Sequence, residues 1–272
     1  MPGENATAAE RLPLTETILG VQFDPIPNLT SAHLGAYWQS LGDAWRDVRE
    51  APFLMPQFER FDAGAWNLSA LQLTFPGNAM VRLQIRNGNS SRMIQVQNNR
   101  FLYNWLRRPG EVYPRYDTVR PEFDREFAAF RRFLEVHGFG RLQPNQWEVT
   151  YINQILKGTL WTRPEEWGRA FRRPEIATAM LGGHGGETFS WGWHGEISPR
   201  RGRVHVEVQQ GIWDTPERPE TITLNITCRG AVSAELDFGA GLDLGHVALN
   251  ATFQDVVSDY ALAYWGLNDA NA

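Results

Sequence analysis

Apolar and polar residues form short β-type stretches through most of the first half of the chain. Residues 14–23 are rich in β-forming residues and end before Asp24 and Pro25, where proline cannot continue a ladder. Over residues 32–49, apolar positions recur at spacings of three and four, which predicts an amphipathic helix with Ser31 as N-cap. Strands are then predicted over residues 53–61, 66–75, 80–86 and 93–104, with turn signals between them. This order indicates an antiparallel meander.

The first half ends in a long helix, and the second half then has a similar pattern of elements. A long helix is predicted over residues 116–137, before Gly138, because its apolar residues form one stripe. The stripe consists of Phe123, Phe127, Phe130 and Leu134. A strand over residues 147–156 and a short helix beginning at Pro164 come next. The remaining predictions are strands at 188–197, 203–213 and 220–229 and a helix at 242–265, closed by Gly266.

Both halves therefore have the order strand, helix, antiparallel strands, long helix. The sequence at 94–101, IQVQNNRF, is similar to VEVQQGIW at 206–213, which favours an internal duplication, although any two antiparallel strands can look alike. The predicted fold class is α+β, with antiparallel sheets and long helices packed on one face. Two repeated strand-helix-meander-helix units, residues 1–145 and 146–272, are expected to pack as one globular domain.

Several short phrases carry a family resemblance over nearly the whole chain. They are VQF at 21–23, QVQ at 95–97, NRF at 99–101, NW at 104–105, YPRY at 113–116, YINQI at 151–155 and YWG at 264–266. Together they resemble a sporadically distributed, uncharacterised family of bacterial proteins. That resemblance implies no activity or cofactor, but the patchy distribution is similar to that of accessory genes in bacterial defence or conflict systems. The element order is also similar to duplicated helix-grip folds, some of which hold a small molecule between their repeats.

Composition predicts a folded protein and argues against one class of partner. Of the 272 residues, 42% are hydrophobic and 11 are Trp, far from the composition of a disordered chain. The net charge of -5 argues against general nucleic-acid binding, which requires a basic domain. Neither a signal peptide nor a membrane span is recognisable, and Cys228 is the only cysteine. We therefore expect a cytoplasmic protein that does not associate with membranes.

The candidates for catalysis or metal binding are weak. The residues with metal-ligand chemistry are His184, His194, His205, Glu187, Glu196 and Glu207. Their spacing matches no metal motif, so hydrogen-bonded strand residues are the expected role, with no metal and no cofactor. The glycine-rich residues 182–186 lack the features of a phosphate loop, and Cys228 is expected to be a small buried hydrophobe. No catalytic residue is predicted.

One segment mixes aromatic, arginine and amide residues as protein interfaces do. The predicted binding residues are Arg100, Tyr103, Trp105, Arg107, Tyr113, Arg115 and Tyr116. Core packing with solvated arginines is the alternative for this segment. We predict a non-enzymatic binding or assembly protein that acts with a partner protein, as an accessory component of a bacterial defence or conflict system. The alternative is a sensor with a small-molecule ligand in a cleft between the repeats, and a metal enzyme using the histidine-rich strands is a third hypothesis.

Overall fold

The computed structural model describes residues 11–59, 61, 81–172, 190–213 and 216–267. Nine β-strands and four α-helices lie in these ranges. The strands are β1 (Leu14–Phe23), β2 (Asp47–Pro52), β3 (Val81–Arg86), β4 (Arg92–Gln97), β5 (Arg100–Leu106), β6 (Pro144–Leu156), β7 (Ser190–Ser198), β8 (Gly202–Ile212) and β9 (Glu220–Ala231). The helices are α1 (Ser31–Ser40), α2 (Tyr116–Val136), α3 (Phe238–Val256) and α4 (Asp259–Trp265), and a 3-10 helix covers Pro164–Arg169. The chain is an α+β protein, as its sequence predicts.

All nine described strands belong to one antiparallel sheet, in the order β2-β3-β4-β5-β1-β6-β9-β8-β7. β1 and β6 pair at its centre, where Leu19 lies opposite Val149. β5 flanks β1 on one side, and β9 flanks β6 on the other. The predicted boundary at residue 145 falls inside β6, so residues from both predicted units form one continuous sheet.

One face of the sheet carries the hydrophobic core. Alternate strand residues such as Phe23 on β1 and Phe101 on β5 are buried on this face. The ring of Phe101 lies 5.3 Å from that of Phe127 and 5.5 Å from that of Phe130, both on α2. All four residues of the predicted apolar stripe are at most 2% exposed. The apolar stripe of α2 and the alternate apolar residues of the strands therefore pack together in one aromatic layer.

Helix α3 contacts the same core at Trp147, a fully buried residue of β6. A Cβ atom at Gly241 would overlap the Trp147 ring, and one at Gly245 would lie 2.7 Å from its Cζ3 atom. The glycines therefore allow the helix backbone to approach the ring closely. No helix in the described part of the chain is long and apolar enough to span a membrane.

The helix predicted over residues 32–49 is shorter in the structure, and a strand follows it. α1 has Thr30 as its N-cap, not Ser31, and it ends at Ser40. Gly42 has a φ of 74°, a left-handed conformation that does not continue a helix. Residues Asp47–Pro52 then pair with β3. The helix prediction was wrong here because the apolar spacing continues past Gly42, whose left-handed conformation ends the helix.

The strand predicted over residues 53–61 was also wrong. Residues 53–59 join no ladder, and Pro56 lacks the N–H group that a ladder needs. Side chains of the sheet bond this backbone instead. The predicted strand at 66–75 and the glycine-rich residues 182–186 lie outside the described residues.

Two other predicted elements are each divided. Residues 93–104 form β4 and β5 rather than one strand, joined by a two-residue turn at Asn98 and Asn99. Residues 242–265 belong to α3 and α4 rather than one helix. The break occurs because Val257 is extended and the Ser258 hydroxyl accepts a hydrogen bond from the Ala261 N–H at 3.0 Å, capping α4.

Candidate functional site

The sheet face opposite the aromatic layer carries polar side chains, and three of its almost fully buried glutamines form one row. Gln22 on β1, Gln97 on β4 and Gln146 on β6 are at most 5% exposed. They lie in one row across the strands, since Gln97 is opposite Arg100, and Arg100 is opposite Gln22. Gln22 is in turn opposite Gln146. Buried amides need partners, and these find them in a segment that crosses the sheet.

Residues 53–59, here called the strap, run across this polar face. Gln97 donates to the Leu54 carbonyl at 2.8 Å and accepts from the Leu54 N–H at 3.0 Å. Gln22 accepts from the Gln57 N–H at 2.9 Å, and Gln146 donates to the Gln57 carbonyl at 2.6 Å. Side-chain amides therefore form the hydrogen bonds to the strap backbone that a neighbouring strand would form in a sheet.

A buried ion cluster fixes the far end of the strap. The Glu59 side chain is 5% exposed and forms ion pairs with Arg203 at 3.1 Å and Arg229 at 2.9 Å, and its Oε1 atom lies 2.7 Å from Nε2 of His205. Burial alone would raise the pKa of Glu59, but the hydrogen bonds from His205 and Arg229 lower it to about 2. The carboxylate is therefore ionised at neutral pH and links the strap to β8 and β9.

A second set of amides forms a directional chain across four strands. Gln84 donates to Gln95 at 3.1 Å, and Gln95 donates to Asn104 at 3.0 Å. Asn104 donates to the carboxylate of Glu16. Burial raises the pKa of Glu16, and the hydrogen bond from Asn104 offsets part of that rise. These four side chains, the amide chain, hold one another in fixed orientations.

Between the strap and the central strands lies a groove with a volume of about 350 Å³. Leu54 and Gln57 of the strap form one wall. The floor and ends are formed by Ile18, Arg82, Gln95, Leu102, Glu148, Thr150, Ile152, His205, Glu207, Asn225, Thr227 and Arg229. The lining is mainly polar, with Ile18, Leu102 and Ile152 as apolar members of the floor. A concave space with polar groups held in fixed positions can bind a ligand.

No protein-family model matches the chain, and no curated protein is significantly similar to it. The family resemblance of the short phrases therefore stays a prediction.

Three of the predicted binding residues are buried in β5. Arg100 lies on the polar face, where it donates to Gln22 at 2.7 Å and to the Met55 carbonyl at 3.3 Å. Tyr103 and Trp105 are each 1% exposed on the opposite, apolar face. Arg100 therefore supports the strap, while the two aromatic residues belong to the core.

Arg107 lines a second cavity, of about 200 Å³, at the end of the sheet. Its guanidinium donates to the Leu12 carbonyl. Arg11, Trp213 and Tyr264 also line this cavity. Arg107 thus lies apart from the groove and from Arg100.

The other three predicted residues lie at the start of α2. The hydroxyls of Tyr113 and Tyr151 are 3.0 Å apart. Tyr116 donates to Asp243 at 2.7 Å, and its ring stacks on His246 with centroids 3.9 Å apart. Arg115 is exposed. The two tyrosines join α2 to β6 and α3, whereas Arg115 is the one of these three that solvent reaches freely.

The histidine-rich strands can be described only in part, since His184 and Glu187 lie outside the described residues. The rings of His194 and His205 are 5.7 Å apart on neighbouring strands. Within the described ranges, no group of three or more His, Cys, Asp or Glu residues could hold a metal ion. Cys228 is fully buried, as predicted, and burial raises its pKa to about 12.

The buried glutamines are not among the functional residues predicted from the sequence. They lie in VQF at 21–23, QVQ at 95–97 and NQW at 145–147, where an amide alternates with large apolar residues. That pattern places an amide on one strand face and a core residue on the other. It could have identified a polar face, but it could not have identified the strap, which is distant in sequence.

Proposed function

We propose that this protein is a non-enzymatic binding or assembly protein that acts with a partner protein, and that its binding site is the groove beside the strap. The observation that carries this proposal is the groove itself, whose floor is held by the amide chain and by the Glu59 cluster. Polar groups that are already fixed lose little conformational freedom when a ligand binds. Such a floor favours specific binding.

This proposal places the binding site away from most of the residues between 100 and 116. Tyr103, Trp105 and Tyr116 are at most 9% exposed, so they offer little surface to a partner. Arg115 is exposed and lies outside the groove lining. It therefore serves as the test of the original hypothesis that this segment forms the binding surface.

A small-molecule sensor is the second candidate function. The groove volume of about 350 Å³ lies within the usual range for small-molecule pockets. Ile18 of β1 and Thr150 of β6, the two central strands, both line it. A ligand there would contact both predicted units, as the similarity to duplicated helix-grip folds implies.

We also propose that the chain is an internal duplication with long helices as counterparts on one face. In support, each half begins with a central strand that pairs with the last strand of its own half, β1 with β5 and β6 with β9. A long helix follows each of those last strands, α2 after β5 and α3 after β9. The simplest explanation of this order of strands and helices is a duplication whose two units are related by a two-fold axis at the β1–β6 pair.

The biological setting follows from the family resemblance. We propose a cytoplasmic accessory component of a bacterial defence or conflict system. Gene neighbourhood tests this proposal directly: recurrent location beside defence genes supports it, and a housekeeping operon contradicts it.

Co-purification from the native host tests the binding site. Three baits are compared by mass spectrometry: wild type, Glu207→Arg in the groove, and Arg115→Glu at the start of α2. Loss of a partner from Glu207→Arg alone supports the groove. Loss from Arg115→Glu alone, at unchanged melting temperature, supports the original segment. A wild-type chain without any partner contradicts partner binding, and a ligand-induced thermal shift would then favour the sensor.

A further inference from the structure

The cavity of about 200 Å³ at the end of the sheet, here called the end cavity, is separate from the groove. The start of β1, the residue after β5, the end of β6, the residue after β8 and helix α4 meet there. Among the described residues, none lines both the end cavity and the groove. The end cavity is therefore a second, independent place for a ligand.

Aromatic side chains form much of the wall of the end cavity. Trp213, Tyr264 and Trp265 line it, together with apolar residues of β6. Trp265 is 2% exposed, and its ring lies 5.9 Å from that of Phe253, so α3 and α4 hold it in place. Aromatic walls of this kind bind another ring edge-on or in an offset stack. An apolar cavity of about 150 Å³ accepts benzene. The end cavity is larger than that and has room for one small ring.

The charged residues in the described lining are all cationic. Arg11 and Arg107 line the end cavity, and no carboxylate does so within the described part of the chain. Arg107 donates to the Leu12 carbonyl, which fixes its guanidinium at the wall. Two guanidinium groups in a lining without a carboxylate favour a negatively charged ligand.

Arg11 has a guanidinium that is left to bond such a ligand. It lies over the Tyr264 ring, with its Cζ atom 5.5 Å from the ring centroid. It forms no hydrogen bond or ion pair with a described residue, and its Nε atom is buried without an acceptor. The two terminal nitrogens of a guanidinium donate in parallel, a geometry that a carboxylate matches. A carboxylate that replaces water at these nitrogens adds the attraction of opposite charges in a half-buried site.

Gln154 supplies a second donor in the wall. Its Oε1 atom accepts from the hydroxyls of Thr221 and Thr223, both at 3.0 Å. These bonds fix the amide, and its NH2 group has no acceptor among the described residues. The hydroxyls of Thr15 and Thr159 donate to carbonyls of β6 at 3.1 and 2.6 Å and are therefore engaged within the wall. A ligand group with acceptor oxygens matches the donors that remain.

We infer that the end cavity binds a small aromatic carboxylate. The carboxylate accepts hydrogen bonds from Arg11 and Gln154. The ring packs against Trp213, Tyr264 and Trp265. This site is additional to the groove, and the inference does not rest on the proposed function.

Three small probes test the inference by nuclear magnetic resonance titration of the labelled full chain. Benzoate carries both the ring and the charge, benzamide keeps the ring without the charge, and acetate keeps the charge without the ring. Benzoate should bind about ten-fold more tightly than benzamide, the gain expected from one charged hydrogen-bonded contact. It should also bind at least about ten-fold more tightly than acetate, because acetate has no ring to bury against the aromatic wall.

The indole N–H signals of tryptophans report where benzoate binds. The signals of Trp213 and Trp265 should shift and reach saturation at the same benzoate concentration. The signal of Trp38 is the control and should not shift, because α1 follows the opposite end of β1.

Matched variants assign the charge and the ring to their contacts. Arg11→Gln should weaken benzoate about ten-fold and leave benzamide unchanged. Arg11→Lys should restore part of the benzoate affinity, because the charge returns without the planar fork. Trp213→Leu should weaken benzoate and benzamide alike, since it removes a ring contact that both make. Arg132→Gln, on the exposed side of α2, is the control and should change nothing. Melting temperatures confirm that each variant is folded.

Three results would overturn the inference. One is equal affinity of the wild-type protein for benzoate and benzamide. Another is saturable benzoate binding that leaves the signals of Trp213 and Trp265 unchanged. The third is absence of binding at millimolar benzoate by folded wild-type protein. Partner capture by the Glu207→Arg bait tests the groove alone, so the failure of the proposed function and the failure of this inference are separate results.

Discussion

Glu59 is the residue whose charge fixes the strap to the sheet. Glu59→Gln would leave Arg203 and Arg229 without their shared carboxylate, so we expect a loss of about 3 kcal/mol in the free energy of unfolding at neutral pH. The folded-state pKa of about 2 lies below the ordinary value of 4.5. The contribution of Glu59 is therefore complete above about pH 4.5 and is lost as the pH falls towards 2.

Urea titrations of wild type and Glu59→Gln between pH 2 and 6 measure this contribution. The difference between the two proteins should shrink as the pH falls through that window. Glu217→Gln, at an exposed position, is the control and should match wild type. A constant difference across the window would show that the charge of Glu59 is not what stabilises the strap.

Phe127 is a test of the aromatic layer. Its ring contacts those of Phe101 at 5.3 Å, Phe123 at 5.6 Å and Phe238 at 5.4 Å. Phe127→Ala should cost about 3 to 5 kcal/mol, because it leaves a cavity between β5, α2 and α3. Val247→Ala, at a residue that is 66% exposed, should change stability by at most about 0.5 kcal/mol. Denaturant titration measures both free energies of unfolding. A loss below about 1 kcal/mol for Phe127→Ala would show that α2 is not part of the core.

At the scale of the element, the approach of α3 to the sheet depends on glycine. Alanine favours a helix over glycine by about 1 kcal/mol at an exposed site. Gly35→Ala in α1, where a Cβ atom meets nothing within 4 Å, should therefore stabilise the protein. Gly241→Ala in α3 should destabilise it by about 1 to 3 kcal/mol, since the new Cβ atom would overlap Trp147.

Thermal unfolding of the two glycine variants separates backbone propensity from packing. Their melting temperatures should move in opposite directions from wild type. An increase in melting temperature for both variants would contradict this expectation. It would show that α3 can move away from the buried Trp147 ring without loss of stability.

At the scale of the whole molecule, the continuous sheet predicts a single unfolding transition. β1 and β6 come from different predicted units but pair along most of their lengths. Val21→Ala on β1 and Ile226→Ala on β9, both at fully buried positions, should lower the midpoint of the same transition. Circular dichroism and tryptophan fluorescence should give coincident curves. Two separate transitions, each sensitive to one substitution, would show that the units unfold independently.

The sequence by itself determined the elements whose apolar period is unambiguous. The predicted bounds of β1 match the structure, because β-forming residues run up to the proline that ends the strand. The helix predicted at 116–137 corresponds to α2, since four residues at helical spacing allow no extended alternative. The burial of Cys228 followed from its β-rich surroundings. Each of these features depends on residues close together in the sequence.

The tertiary structure alone decided the candidate site. The strap backbone bonds Gln97, Gln22 and Gln146, the last of them 89 residues away, and no local pattern reports such contacts. Glu59 likewise meets Arg229 across 170 residues. Buried polar groups take whichever partners the packed chain brings near, whereas alternation within a strand fixes only the face on which they lie. The sequence therefore determined that these glutamines share a polar face, and the fold determined what they hold.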